Sequence, residues 1–185
     1  MYANKPIKKY LEDLSAKTPA PGGGSASALV GASGASLISM VVNFTLGKPK
    51  YLKHQKDLKK IIAQSEKLRR KLLSLVDKDV QAYMSGDIKK ATGVPYEIAC
   101  LCFDGIKLCP GLVEKGNINL ISDLAIAAVL LESAFCSAYY NVLINIRGLE
   151  NKSALKFKSD LDTKITFVRN IRIDTEKRIG KIIRR

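Results

Sequence analysis

Apolar residues recur at intervals of three and four through almost all of the 185 residues, and no segment shows the strict alternation of a half-buried strand. The spacing predicts a short amphipathic helix over Ile7–Ser15, ended by the breaker Pro-Ala-Pro-Gly-Gly-Gly at 19–24, which reads as a loop. Ser25 stands where an N-cap belongs and opens a helix over 25–46, stopped by Gly47 with Pro49 beyond it. A long charged helix over 51–85 carries Leu58, Ile61, Ile62, Leu68, Leu72, Leu75 and Val76 on one face. Breaks at Gly86 and at Gly93-Val94-Pro95 precede a helix that starts at Pro95 and runs toward Val113, followed by a turn at Lys115-Gly116-Asn117. The next helix, from Ser122 or Asp123 to about 149, is apolar on most faces and belongs at the centre. The last, over 153–185, sets Ile165, Val168, Ile171, Ile179, Ile182 and Ile183 against a dense Lys/Arg face. The pattern predicts an all-α antiparallel bundle of about six helices, one domain over residues 1–185.

The helix over 25–46 is unusual in kind. No charged side chain occurs between Lys17 and Lys48, a stretch long enough to cross a bilayer. Ser25, Ser27, Ser33, Ser36, Ser39, Asn43 and Thr45 interrupt it, however, and Gly31 and Gly34 weaken it, so burial in a protein core is the better reading and no membrane partner is expected. Ser27, Gly31 and Ala35 recur every fourth position, a stripe that lets another helix approach closely. That stripe suits a subunit interface and so a homodimer; the same geometry would serve a helix pair within the chain.

Charge narrows the partners. With 31 Lys and Arg against 17 Asp and Glu, the net charge of +14 attracts anions. One reading is a basic helical nucleic-acid-binding or scaffold protein, drawing on Arg169, Arg172, Lys177, Arg178, Lys181, Arg184 and Arg185. Against it stand the absence of Trp, 6% aromatic residues and no helix-turn-helix or zinc motif, so nucleic acid is not an expected partner. Cys100, Cys102, Cys109 and Cys136 form no CxxC pair and read as reduced core thiols of a cytoplasmic protein. The single histidine, His54, lies in the charged run Lys-Tyr-Leu-Lys-His-Gln-Lys-Asp, so no metal site is proposed. The charged start Met-Tyr-Ala-Asn-Lys-Pro-Ile-Lys-Lys is not expected to act as a secretory signal.

Three features could carry chemistry. Pro21, Gly22, Gly23, Gly24 and Ser25 combine glycines that admit close backbone approach with the free N–H groups of a helix amino end, an anion site in principle and otherwise a flexible loop. The lysine and spacing of a P-loop are absent. Asp79 lies beside Leu75, Val76 and Val80, with Tyr83 one turn on; a carboxylate near an apolar face can move protons near neutrality, although Asp77 and Asp79 would also fit a solvated surface. Asp123 and Asn141 point the same way from the central helix, with Asn145 close in angle, but they stand about 27 Å apart along it, so one small ligand meets Asp123 and the asparagines only if a second subunit supplies one end. Their structural alternatives are a first-turn charge for Asp123 and satisfied core amides for Asn141 and Asn145.

In order along the chain, Pro-Ala-Pro-Gly-Gly-Gly-Ser through Lys-Pro-Lys-Tyr, Leu-Val-Asp-Lys-Asp-Val-Gln-Ala-Tyr, Gly-Asn-Ile-Asn-Leu-Ile-Ser-Asp-Leu and Tyr-Asn-Val-Leu-Ile-Asn resemble the cyclodeaminase/cyclohydrolase family, which includes the carboxyl-terminal domain of formiminotransferase-cyclodeaminase. The resemblance spans residues 7 to about 150 and does not include a formiminotransferase half. It implies an all-helical dimer without a prosthetic group or metal, acting on a tetrahydrofolate derivative at the carbon between N5 and N10. A cyclodeaminase closes a 5-formimino adduct to 5,10-methenyltetrahydrofolate with loss of ammonia; a cyclohydrolase opens the methenyl bridge with water. Under that resemblance Asp79 shuttles the proton and Asp123 is a second acid/base candidate. Gly22, Gly23, Gly24 and Ser25, with Pro21, form a wall that binds an anion or carbonyl, and Asn141 and Asn145 hydrogen-bond the pterin or polarise the leaving nitrogen. Lys48 and Lys50 suit a polyglutamate tail.

Between the Asp79–Tyr83 block and Val94-Pro95 only Met-Ser-Gly-Asp-Ile-Lys-Lys-Ala-Thr-Gly intervenes, where relatives carry a longer helical hairpin. A shortened pocket there raises the alternative of a non-catalytic folate-binding homologue.

Overall fold

The structure is a computed structural model that describes residues 1–184; Arg185, counted above in the basic carboxyl-terminal face, lies outside them. Seven helices follow one another: α1 Ile7–Ser15, α2 Gly23–Asn43, α3 Gln55–Met84, α4 Ile88–Ile106, the single turn α5 Cys109–Leu112, α6 Ile121–Asn145 and α7 Asn151–Ile183. Short 3-10 turns precede α1, α3 and α6 and follow α6, and the described residues contain no strand. The all-α bundle expected from periodicity is what forms.

Burial explains the layout. Helices α2 and α6 lie antiparallel at the centre, with α3 packed on α2 and α4, α4 on α6 and α2, and α7 along α6 and α4. Ile38, Leu72, Ile98, Leu124, Leu131 and Phe135 are fully buried where these helices meet. At about 1.5–3 kcal/mol for each such side chain removed from water, this shared core fixes the helix positions.

The small-residue stripe of α2 faces inward, which corrects the expectation of a subunit interface there. Ser27, Gly31 and Ala35 are buried, and a Cβ on Gly31 would come within 2.8 Å of Cys102 Sγ and 3.3 Å of Leu72. The close approach serves packing within one chain. By length and composition α2 and the segment Ile118–Gly148 would each suffice to cross a membrane; here they pack on each other in the core.

Two boundaries differ from expectation. Helix α2 begins at Gly23 with Gly22 as its N-cap, so Ser25 is already inside the helix and does not cap it. Helix α4 does not wait for Pro95 but starts at Ile88, capped by Asp87, whose carboxylate accepts the N–H groups of Lys89 at 2.9 Å and Lys90 at 3.2 Å. Pro95 therefore sits in the helix interior, where its missing N–H leaves the carbonyl of Ala91 without its usual partner. The side-chain amide of Asn145 takes that place, donating from Nδ2 to Ala91 O at 2.7 Å.

Candidate active site

At the end of the bundle where α2 begins and α3 and α6 finish, a cavity of about 320 Å³ is lined by Pro19, Ala20, Gly22, Gly23, Gly24, Asp79, Tyr83, Ala91, Asn141, Ile144 and Asn145. Residues from four separate blocks of the sequence meet here because antiparallel packing brings the amino end of α2 beside the carboxyl ends of α3 and α6.

Asp79 defines the site. Its carboxylate lies directly against Gly24, so closely that a Cβ on that residue would fall 2.1 Å from Oδ1. No other side chain can stand at position 24 while Asp79 keeps its place. The helix amino end that the sequence suggests as an anion site is thus faced by the chain's own carboxylate. Burial pushes the Asp79 carboxyl above its ordinary value, and the backbone N–H of Ser25 pulls in the opposite direction without overcoming it. A carboxyl with raised proton affinity at the wall of a cavity is placed to take a proton and return it.

Its companions on α3 show how local the selection is. Asp77, two residues earlier, is buried on the other side of the helix and accepts the backbone N–H groups of Tyr2 and, at 3.3 Å, Ala3. It anchors the amino-terminal turn. Tyr83, one turn after Asp79, also lines the cavity and is mostly exposed.

The two asparagines reach the cavity in different ways. Asn141 lies beside Gly23, where an added Cβ would touch its amide at 3.3 Å, and it donates one N–H to Ser137 O of its own helix at 2.9 Å. Asn145 donates to Ala91 O and so links α6 to the Pro95 gap in α4. An amide has two N–H donors and two acceptor lone pairs, so each keeps hydrogen-bonding capacity for a ligand in the cavity it lines. Asn145 is therefore both a structural tie and a cavity residue, two readings that the sequence left side by side.

Not every expected residue lines the cavity. Pro21 and Ser25 are buried behind its wall; the Ser25 hydroxyl meets Tyr10 Oη at 3.2 Å, and only its backbone acts on Asp79. Lys48 lies beyond the carboxyl end of α2 and Asp123 in the first turn of α6, both at the opposite end of the bundle. Lys50 follows Lys48 there, and neither lysine lines this cavity. Ala91 and Ile144 were not legible as cavity residues, since neither type signals chemistry.

The sequence profile described as formiminotransferase-cyclodeaminase matches residues 6–86 and 81–164. The two stretches overlap at 81–86, where α3 passes into α4 through Gly86. The methenyltetrahydrofolate cyclohydrolase of Methylorubrum extorquens is 35% identical over an alignment that covers 83% of this chain and 85% of that protein. Rat formimidoyltransferase-cyclodeaminase is 32% identical over 77% of this chain, which spans 31% of the rat protein's length. Among solved structures, formiminotetrahydrofolate cyclodeaminase of Thermotoga maritima superposes with a TM-score of 0.83 at 26% identity, covering 98% of this chain and 97% of that one.

Proposed function

The chain belongs to the formiminotransferase-cyclodeaminase family, and from that premise we propose that it acts on the carbon bridging N5 and N10 of tetrahydrofolate, as a cyclodeaminase or a methenyltetrahydrofolate cyclohydrolase. The observation that carries this reading is the Asp79 carboxyl, held against Gly24 with a raised affinity for its proton and sharing one cavity with Asn141 and Asn145.

Both reactions need one group that takes a proton and gives it back. In the cyclodeaminase direction, N10 attacks the formimino carbon, Asp79 accepts the N10 proton, and the carbon–nitrogen bond to the amine breaks as Asp79 returns the proton, so that ammonia leaves. In the cyclohydrolase direction, Asp79 takes a proton from the attacking water and delivers it to the ring nitrogen as its bond to the carbon breaks, and the second water proton passes to solvent as the hydroxyl becomes the formyl carbonyl. Asn141 and Asn145 orient the pterin by hydrogen bonds, and the Gly22–Gly24 backbone allows it close to Asp79. The basic surface favours approach of a folate carrying several carboxylates. The reading includes a homodimer, and four free thiols fit a reducing compartment such as the cytoplasm.

The decisive experiment follows 5,10-methenyltetrahydrofolate by its near-ultraviolet absorbance, starting separately from 5-formiminotetrahydrofolate and from the methenyl compound. Formation with release of ammonia identifies a cyclodeaminase, and accelerated loss a cyclohydrolase. Asp79→Asn should lower the active reaction by about 10²-fold or more. Neither rate rising above background, with the melting temperature still raised by folate, would replace this reading by the binding-only homologue that the shortened α3–α4 connection suggests.

A further inference from the structure

Helix α1 buries a single side chain fully. Ile7 and Leu11 are mostly exposed, whereas Tyr10 is 4% exposed and turns its hydroxyl inward. There Tyr10 Oη donates to Ser25 Oγ at 3.2 Å, and Ser25 is itself fully enclosed. A buried phenol needs a partner for its hydroxyl, and the partner here is the residue next to Gly24, the glycine that Asp79 lies against.

Ser25 differs from most hydroxyls of its helix. Ser27, Ser33 and Ser36 each donate to the carbonyl four residues back, Gly23 O, Leu29 O and Ala32 O, at 2.6, 3.0 and 2.8 Å. The Ser25 hydroxyl instead takes its hydrogen bond from α1, so the first turn of α2 is pinned from outside the helix. That turn carries both contacts of Asp79 with α2: the Gly24 backbone against the carboxylate and the Ser25 N–H acting on it. Around Asp79 stand Tyr10 from α1, this N–H from α2, Tyr83 one turn on along α3, and Asn141 and Asn145 from α6; no described residue lining the cavity is Lys, Arg or His. Burial pushes the Tyr10 phenol up, its bond to Ser25 opposes that, and the Asp79 charge adds to the rise, so the hydroxyl stays a donor. With no cation lining the cavity, the placing of neutral dipoles decides how firmly Asp79 is held.

We infer that Tyr10 is a positioning residue for Asp79: its hydroxyl holds Ser25, and through Ser25 the first turn of α2, where the Gly24 backbone and the Ser25 N–H fix the carboxylate at the cavity wall. Tyr10 does not line the cavity, so it acts through these residues and does not touch a bound substrate. Removing the hydroxyl keeps the ring and leaves Ser25 Oγ free to turn back on its own helix, as its neighbours do. The Ser25 N–H then favours the ionised carboxylate less, so Asp79 binds its proton more tightly and is less well set for transfer. The effect on turnover rests on the function proposed above; the hold on Asp79 does not.

The test compares Tyr10→Phe, Ser25→Ala and the double variant. The titration of Asp79 is read from its carboxyl carbon resonance in chains carrying isotopically labelled aspartate, assigned by its loss in Asp79→Asn, and needs no turnover. Either single substitution should raise the midpoint by about half a pH unit, and the double variant no further, because both remove the same hydrogen bond. In the absorbance assay each should lower kcat by about fivefold with KM unchanged, since Tyr10 and the Ser25 side chain lie outside the cavity lining. Asp77→Asn controls for general loosening: it frees the amino-terminal turn, whose Tyr2 ring packs edge-on against Tyr10 at 5.4 Å between centroids, and should leave the Asp79 midpoint unmoved. An unmoved midpoint in Tyr10→Phe, additive shifts in the double variant, or an equal shift in Asp77→Asn overturns this role. Absence of wild-type turnover instead counts against the proposed function, while the titration still decides what Tyr10 does.

Discussion

The two ends of the bundle are both rich in polar residues and use them in opposite ways. At the end away from the cavity, Thr45 Oγ1 donates to Val41 O at 2.6 Å and accepts from Asn117 N at 2.8 Å, while Asn117 Nδ2 donates to Phe44 O at 3.3 Å. Tyr51 Oη accepts from Ile118 N at 3.2 Å, and Lys115 reaches Asp57 at 2.6 Å. Those groups satisfy one another and fasten the loop before α6 to the end of α2. At the cavity end Asp79, Asn141 and Asn145 keep capacity that the chain does not use, around an open space of about 320 Å³. Polar residues whose partners are all internal make structure; those facing an open cavity with capacity left over are placed for chemistry.

The sharpest way to break this contrast is Gly24→Ala. The added methyl must displace the Asp79 carboxylate, and the expected outcome is a loss of turnover of about 10²-fold or more, read in the absorbance assay, with the helical circular dichroism retained. Next in size is the pair Asp77→Asn and Asp79→Asn, two substitutions of the same chemistry two residues apart. Asp77→Asn weakens the hold on the Tyr2 and Ala3 amides and should cost about 2 kcal/mol in chemical denaturation while leaving the turnover of folded protein intact. Asp79→Asn should do the reverse. Burial raises the Asp79 pKa in the folded state, so the ionised carboxylate opposes folding at neutral pH, and that penalty fades as pH falls through the folded value. The variant should therefore be at least as stable as the wild type at pH 7, and its advantage should close on acidification. Thr45→Val at the opposite end has the smallest expected effect: a loss of about 1 kcal/mol in stability, with kinetic constants unchanged. A kinetic defect there would abolish the distinction between the two ends.

Much of this was readable from residue order. The period of three and four in apolar positions marked the helices, because one face of each must leave water, and α1 over Ile7–Ser15 has the predicted limits. Asp79 was visible as a carboxylate beside Leu75, Val76 and Val80. Pro95, by contrast, pointed to a helix start, since a proline usually ends a helix; Asn145, fifty residues later, supplies the hydrogen bond that lets α4 run through it. The small-residue stripe of α2 was equally compatible with a partner chain and with an internal neighbour, and only Cys102 and Leu72 lying against Gly31 separate the two.

The sequence by itself determined that the chain is an all-helical bundle, which helix faces are apolar, and the family to which the chain belongs, because periodicity and motifs are properties of neighbours along the chain. It could not determine that Asp77 is an anchor while Asp79 faces a cavity, that Ser25 stands behind the wall it was expected to form, or that Lys48 and Asp123 lie at the far end. Those outcomes depend on which helix ends antiparallel packing brings together, and so on contacts between residues distant in the chain. Tertiary structure alone decided them, because a side chain's exposure and proton affinity are set by the atoms packed around it rather than by its own chemical type.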